Sequence, residues 1–407
     1  MTNPIIRKRR VFHVPGYDPA PPAAVRRRFS RELRRFEDTW SVKASVSEVG
    51  ADTDETAWQV TAAGPNWRVE TQYRLVRWDD IIEADNRRPM WRRIPLGLFA
   101  FVDFIAGALW QYLRANWHYA GFFLYPLILF AVFAALAGLA GFLVADVTGS
   151  MLAGAAAGIA VLPLLLHWPG RRLYLPLLFD DWIFSRRYVR SGHPVLDARL
   201  DRIALEVAAA ADDQDVDEVV VIGHSLGAVL AIDLLDRVLR LNPALGREGQ
   251  RIALLSVGSS ILKIGLHTGA KRFRAAVERV ASQQSIFWGD YQAIADVMNF
   301  YKSDPLAAMG LATRGVPLVR RVRIRHMLDA AVYARIRYHP LRMHLQFVSG
   351  NNRRTTYDYF MLLCGPLTVE RQVRADGAVS AIGADGALLQ APEKVSPSER
   401  SESAGPP

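Results

Sequence analysis

Apolar spacing alone divides the chain into stretches of different character. From residue 119 to 145 no charged side chain interrupts roughly 27 positions, which at helical rise crosses a hydrocarbon core of about 30 Å. A second uncharged stretch, residues 147–170, follows Asp146, and Thr148-Gly149-Ser150 supplies the turn between the two. The pair predicts a transmembrane helical hairpin, with Gly138, Gly141, Gly154 and Gly158 as the small residues that let two helices approach in lipid. Residues 94–113 are also apolar but contain Asp103 and are bracketed by arginines, with Trp91, Trp110 and Trp117 placed like interfacial anchors. That segment is expected to lie on the membrane surface, because a third crossing would put its two flanks on opposite sides.

Elsewhere the pattern alternates between the periods of strands and helices. Residues 10–13 read as a strand ending in a Pro-Gly turn, and residues 21–40 have helical spacing with a basic outer face. Residues 41–49, 58–63 and 67–76 alternate as strands, the last two joined by Gly64-Pro65-Asn66. After the hairpin come a helix at 194–211, a strand at 218–222, a helix at 226–241, and further strands at 251–256, 285–291 and 344–348. Strands alternating with helices predict an α/β fold with a doubly wound, mostly parallel sheet. The expected organisation is one discontinuous domain, residues 1–90 and 173–370, interrupted by the membrane insertion at 91–172 and followed by a tail at 371–407. That tail is expected to be disordered, and its end, from residue 393, is mostly Ser, Glu and Pro.

Composition narrows the class. At 407 residues, with 51% hydrophobic and 22% charged residues, the chain is no disordered polymer, yet its mean hydropathy is high for a wholly soluble protein. The net charge of +10, with a basic run at residues 7–10 and Arg26, Arg27, Arg28, Arg31, Arg34 and Arg35, would suit nucleic acid. A membrane surface accounts for it better: Arg87, Arg88, Arg92, Arg93 and Arg114 precede the hairpin, and Arg171, Arg172, Arg186 and Arg187 follow it. The central turn carries only Asp146. Positive flanks on both sides place both of them in the cytoplasm, so the expectation is a multi-pass integral protein of a bacterial inner membrane, with a lipid bilayer and no nucleic acid as partner. One cysteine, Cys364, excludes an internal disulfide and a multi-cysteine zinc cluster. Residues 1–16 are too short and broken in their apolar run for a signal-peptide core.

The chemistry centres on Val219-Val220-Val221-Ile222-Gly223-His224-Ser225-Leu226-Gly227-Ala228, an apolar β-branched run entering G-x-S-x-G and leaving as a helix. A turn this tight needs Gly223 and Gly227 beside the serine, whose hydroxyl is pushed into the open, and the following helix N-terminus favours developing negative charge. Here the chain resembles the α/β-hydrolase superfamily, particularly its lipase- and esterase-like members, over about two-thirds of its length. That resemblance implies Ser225 as nucleophile and an oxyanion hole from the backbone N–H of Leu226 with a second from the loop after an early strand. Phe12-His13-Val14-Pro15-Gly16-Tyr17-Asp18 matches that loop but departs from the common His-Gly pair by two inserted residues. Pro15 has no N–H, which leaves Tyr17 or Gly16 as donor.

The resemblance also implies the order serine, acid, histidine. Asp296, several residues beyond Trp288, is favoured as the acid over Asp304 in Ser303-Asp304-Pro305, with Asp290 as polar support. His344, followed closely by Phe347, is favoured as the base over His326 and His339. His344 would take the Ser225 proton, Asp296 would stabilise the imidazolium, and water would resolve an acyl-enzyme. No metal or other cofactor is required, since no H-E-x-x-H or similar ligand spacing occurs. The expected substrate is an acyl ester or lipid-like ester. The competing reading is a catalytically silent scaffold or signalling protein that keeps the fold for binding.

Overall fold

The computed structural model describes residues 5–47, 56–246, 251–312, 315–375 and 377–389. Its strands are β1 (Lys8–Val14), β2 (Lys43–Val46), β3 (Ala57–Gly64), β4 (Trp67–Leu75), β5 (Glu218–His224), β6 (Ile252–Val257), β7 (Ile286–Ala293) and β8 (Leu318–Val322). They form one eight-stranded sheet in the order β2-β3-β4-β1-β5-β6-β7-β8. The pairings from β4 across to β8 are parallel, and the β2–β3 and β3–β4 pairings are antiparallel. The protein is therefore α/β with a mostly parallel sheet. Every residue of β5 is buried, as a central strand covered on both faces requires. Because successive side chains point to opposite faces, Val219 and Val221 enter one core while Val220 and Ile222 enter the other.

The helices that position the site are α1 (Pro22–Trp40), α2 (Asp79–Asn86), α3 (Met90–Ala115), α4 (Trp117–Thr148), α5 (Met151–His167), α6 (Pro169–Arg172), α7 (Leu175–Arg190), α8 (Pro194–Asp212) and α9 (Gly227–Leu241). In α1 the buried side chains Val25, Phe29, Leu33 and Phe36 recur at helical spacing and cover one sheet face. On the other face α8 and α9 pack over β5.

Three helices are long and apolar enough to cross a membrane: α3, α4 and the segment Met151–Arg172. The Asn116 side chain caps α4 by accepting from the His118 and Tyr119 amides at 3.0 and 3.1 Å. Gly149, at φ 65°, and Ser150 then turn the chain into α5. A Cβ at Gly141 would lie 2.7 Å from the Gly154 carbonyl oxygen, so these helices touch backbone to backbone there. Gly138 has open space in front of it and takes no part in the contact expected of it. The third helix, α3, buries Phe101 and Phe104 against Trp182 of α7, and its Asp103 accepts from Arg190 Nε at 3.0 Å.

Other expectations change in the structure. Residues 344–348 are not a strand: His339-Pro340 starts a short helix, Pro340–Leu345, which runs into a 3₁₀ turn, Gln346–Val348. Pro at the first helical position is the signal that favours this outcome. The edge strand β8 was not expected, because Arg320 and Arg321 break its alternation. The chain also stays packed past residue 371. Helix Val369–Arg374 buries Val369 and Val373, Ala378 and Ile382 are buried, and the Gly386 carbonyl accepts from Trp67 Nε1 at 2.9 Å. The expectation for residues 393–407 lies outside the described residues.

Candidate active site

The strand–helix turn after β5 is shaped by what it has no room for. A Cβ on Gly227 would sit 2.1 Å from the Val14 carbonyl oxygen, and one on Gly223 would sit 2.3 Å from the Ala228 Cα. Between them Ser225 takes φ 56°, a left-handed conformation that costs a residue with a side chain about 1–2 kcal/mol. The sheet holds it there: its N–H donates to the Val257 carbonyl at 3.2 Å, and its carbonyl accepts from Ser260 at 3.0 Å and Ala228 at 3.1 Å. The side chain is left half-exposed at the carboxyl end of the parallel strands, where open α/β sheets place their ligands.

The loop after β1 closes over this serine. A Cβ on Gly16 would come 2.8 Å from the Ser225 Cβ, so glycine is required by close approach. Trp78 Nε1 donates to the Pro15 carbonyl at 3.0 Å, and the Asp18 N–H donates to the Gly16 carbonyl at 2.7 Å, a γ-turn centred on Tyr17. The Tyr17 ring packs edge-on against Trp78, and burial pushes its hydroxyl's pKa upward. Among the described residues, the N–H groups of Gly16, Tyr17 and Leu226 have no acceptor.

Asp296 lies three residues past the end of β7. One carboxylate oxygen accepts from the Met298 amide at 2.9 Å, and Asn299 Nδ2 donates to the Asp296 carbonyl at 2.6 Å. The other carboxylate oxygen meets Nδ1 of His344 at 2.7 Å, both residues being buried. A carboxylate only accepts, so His344 donates from Nδ1 and presents a lone pair at Nε2. That Nε2 is buried and has no partner. Behind the ring, Gly258 at φ 52° approaches so closely that a Cβ would lie 3.2 Å from His344 Cε1. Ser225, His344, Gly16 and Tyr17 line one cavity of about 210 Å³.

The remaining titratable residues named from the sequence have other roles. Asp304 caps the short helix Pro305–Ala308, accepting from the Ala307 amide at 3.0 Å. Asp290 is a buried residue of β7 itself, accepting from Ser256 Oγ at 2.5 Å and from Gln292 at 2.8 Å, and burial raises its pKa. His224 donates from Nε2 to the His344 carbonyl at 3.2 Å and supports the backbone of that residue. His326 and His339 do not line the cavity.

Sequence reasoning placed His13 in the loop after the first strand but gave it no role of its own. It lines the cavity, its Nδ1 bonds the Tyr73 hydroxyl, and the Tyr359 hydroxyl stands 3.2 Å away. Burial, followed by the Arg28 guanidinium, depresses its pKa from 6.5 to about 3, so it stays neutral. Also missed was the ion pair of Lys263 and Asp181 in the cavity wall, with Lys263 Nζ 4.1 Å from the Trp182 ring centroid. Nothing in the sequence near either residue points to it, because each pairing joins distant elements.

A larger groove of about 720 Å³ lies elsewhere, between α8, α9 and Lys271–Ser282. Three of its four lining arginines are paired in place, Arg237 with Asp197 and Asp201, Arg240 with Asp236, and Arg272 with Asp197 and Asp233. Among the described residues, no three His, Cys, Asp or Glu side chains converge closely enough to hold a metal ion. No known protein family, curated protein or solved structure matches this chain.

Proposed function

We propose that this protein is a membrane-anchored serine hydrolase of the α/β-hydrolase type that cleaves acyl esters. The observation that carries the reading is His344, held at Nδ1 by Asp296 at 2.7 Å while its unpartnered Nε2 belongs to a residue sharing a cavity with a conformationally strained serine. In the proposed reaction Nε2 takes the proton from Ser225 Oγ as the oxygen attacks the acyl carbon. The carbonyl oxygen then becomes an oxyanion facing the N–H groups of Leu226 and Tyr17. The tetrahedral adduct expels the alcohol, which leaves with the proton from His344. Water, deprotonated by the same nitrogen, then releases the acid and restores the serine.

The anchor follows from the sheet. β4 precedes α3 and β5 follows α5, yet β1 joins them in one sheet, so the chain crosses any membrane an even number of times in between. We assign the two crossings to α4 and α5 and place α3 at the surface, where Asp103 stays paired with Arg190. The arginines before α4 and after α5 support a cytoplasmic side for the sheet.

The test is hydrolysis of p-nitrophenyl esters by the detergent-solubilised protein, with fluorophosphonate labelling of Ser225. Ser225→Ala and His344→Ala should each lower kcat by about 10⁶-fold and Asp296→Asn by about 10⁴-fold, whereas Asp304→Asn, which keeps a side-chain acceptor for the Ala307 amide, should leave kcat at the parental level. Parental turnover in Ser225→Ala would sink the proposal. A folded parent that neither turns over nor labels would leave the binding scaffold as the better reading.

A further inference from the structure

We infer that the ester cleaved at Ser225 belongs to a membrane-resident lipid, whose acyl chain enters from the leaflet between the first turns of α4 and α7. The inference rests on the serine-hydrolase reading and adds the substrate class and its route. The cavity that contains Ser225 and His344 takes part of its wall from Tyr119 and Phe122 of α4 and from Leu177 and Leu178 of α7. The helix that carries Tyr119 and Phe122 continues outward as an apolar rod, with Ile128, Val132, Leu136, Leu139 and Phe142 exposed. One element therefore forms both the inner wall of the site and a surface that only lipid would solvate.

Depth supports the same conclusion. Trp117 begins α4 and Trp168 follows α5, so both stand at the end of the hairpin nearest the sheet, 67% and 70% exposed. Exposed tryptophans at helix ends mark the level of the lipid headgroups, and Arg114, Arg171 and Arg172 lie just outside them. At 1.5 Å per residue Tyr119 lies about 3 Å and Phe122 about 7.5 Å further along the helix axis than Trp117. That interval matches the headgroup–acyl boundary, about 5–10 Å deep, where interfacial apolar groups rest. An ester of a leaflet lipid sits at this depth, so it would reach the serine without leaving the membrane.

Volume argues in the same direction. At about 210 Å³ the cavity is smaller than the roughly 300–1,000 Å³ that engulfs a whole drug-sized molecule. It accepts the reacting end of a substrate and leaves the remainder outside, against the apolar side chains of α4 and α7. The cavity wall also carries Lys263 paired with Asp181, one turn along α7 from Leu177 and Leu178, and Arg28 paired with Asp18.

The experiment uses the full chain in nanodiscs of phosphatidylcholine and phosphatidylglycerol. It compares p-nitrophenyl palmitate residing in the disc with p-nitrophenyl acetate in the surrounding water, and active sites are counted by fluorophosphonate labelling. The parent should favour palmitate in kcat/KM. Phe122→Gln and Leu178→Gln should each lower the palmitate-to-acetate ratio by about tenfold or more, the scale of one lost apolar contact. Phe142→Ala, on the hairpin away from the cavity, should leave the ratio unchanged. A parent that favours acetate, or a ratio unmoved by both wall substitutions, overturns the inference. If neither wall variant labels, the parent's own ratio decides. Parental hydrolysis of both esters by Ser225→Ala is a different failure, that of the serine-hydrolase reading itself.

Discussion

The turn at Ser225 and the α4–α5 hairpin both rely on glycine to remove a Cβ from a crowded contact, but they sit in surroundings of opposite compliance. At the turn, Gly227 faces the Val14 carbonyl oxygen at 2.1 Å from an ideal Cβ; Val14 is fixed by the parallel pairing of β1 with β5, and Gly227 opens α9 in the turn directly after β5. In the hairpin, Gly141 faces Gly154 at a comparable 2.7 Å, but nothing beyond the two helices locks their spacing except the turn at Gly149. A clash at the turn has nowhere to go, whereas two apolar helices outside the sheet can slide apart. The same residue type thus specifies a reactive geometry in one place and a packing distance in the other.

Substitution should expose that difference. Gly227→Ala is expected to cost about 3 kcal/mol in urea unfolding, because overpacking against backbone cannot relax, and to abolish fluorophosphonate labelling with it. Parental stability in this variant would break the comparison at its strongest point. Next comes a titration confined to the sheet side. His13 has its pKa lowered to about 3, so the unfolded chain takes up a proton near pH 6.5 that the folded state refuses. Its contribution to stability is present above pH 6.5 and is lost as pH falls towards 3, about 2 kcal/mol between pH 7 and 5. His224, also depressed by burial, acts with the same sign. The difference between urea midpoints at the two pH values should shrink in His13→Gln, and an unchanged difference would remove His13 as its source. The smallest effect belongs to the hairpin: Gly141→Leu should cost about 1–2 kcal/mol in detergent and Gly138→Leu close to nothing, with ester turnover unaffected by either. Equal losses would show that the contact at Gly141 and Gly154 does not hold the helices together.

What the sequence revealed divides along the range of the interactions involved. The Gly-x-Ser-x-Gly turn is local, so residues 218–241 carry both its strand and its helix in view. The uncharged run from residue 119 to 145 is equally self-contained. His344 was named from its position in the chain, and its element was misread, because Met343, Phe347 and Val348 suggest a strand unless Pro340 is weighed as a helix start. Asp304 was a reasonable rival to Asp296 until its carboxylate was seen capping Pro305–Ala308. The loop that carries His13 was visible, but its partners were not: they are Tyr73 and Tyr359, which arrive from a strand 60 residues and a helix 346 residues away. Edge strand β8 hid for the opposite reason, since half-exposed edges tolerate Arg320 and Arg321 and lose the alternation that marks a strand.

The position of β1 in the middle of the sheet has a consequence for biosynthesis. Lys8–Val14 leaves the ribosome early and can pair with β4 at once, but its other edge waits for Glu218–His224, about 200 residues later. In the interval the apolar helices α3 to α5 must be translated, while a half-built sheet presents an open edge. Lys8, Arg9 and Arg10 head that edge with three positive charges, which discourages a second nascent chain from pairing there. Arg9 then changes partners as the sheet closes, ending buried against Glu218 with Nε at 2.8 Å from its carboxylate. The basic strand that guards the unfinished protein becomes the seam along which its two halves are joined.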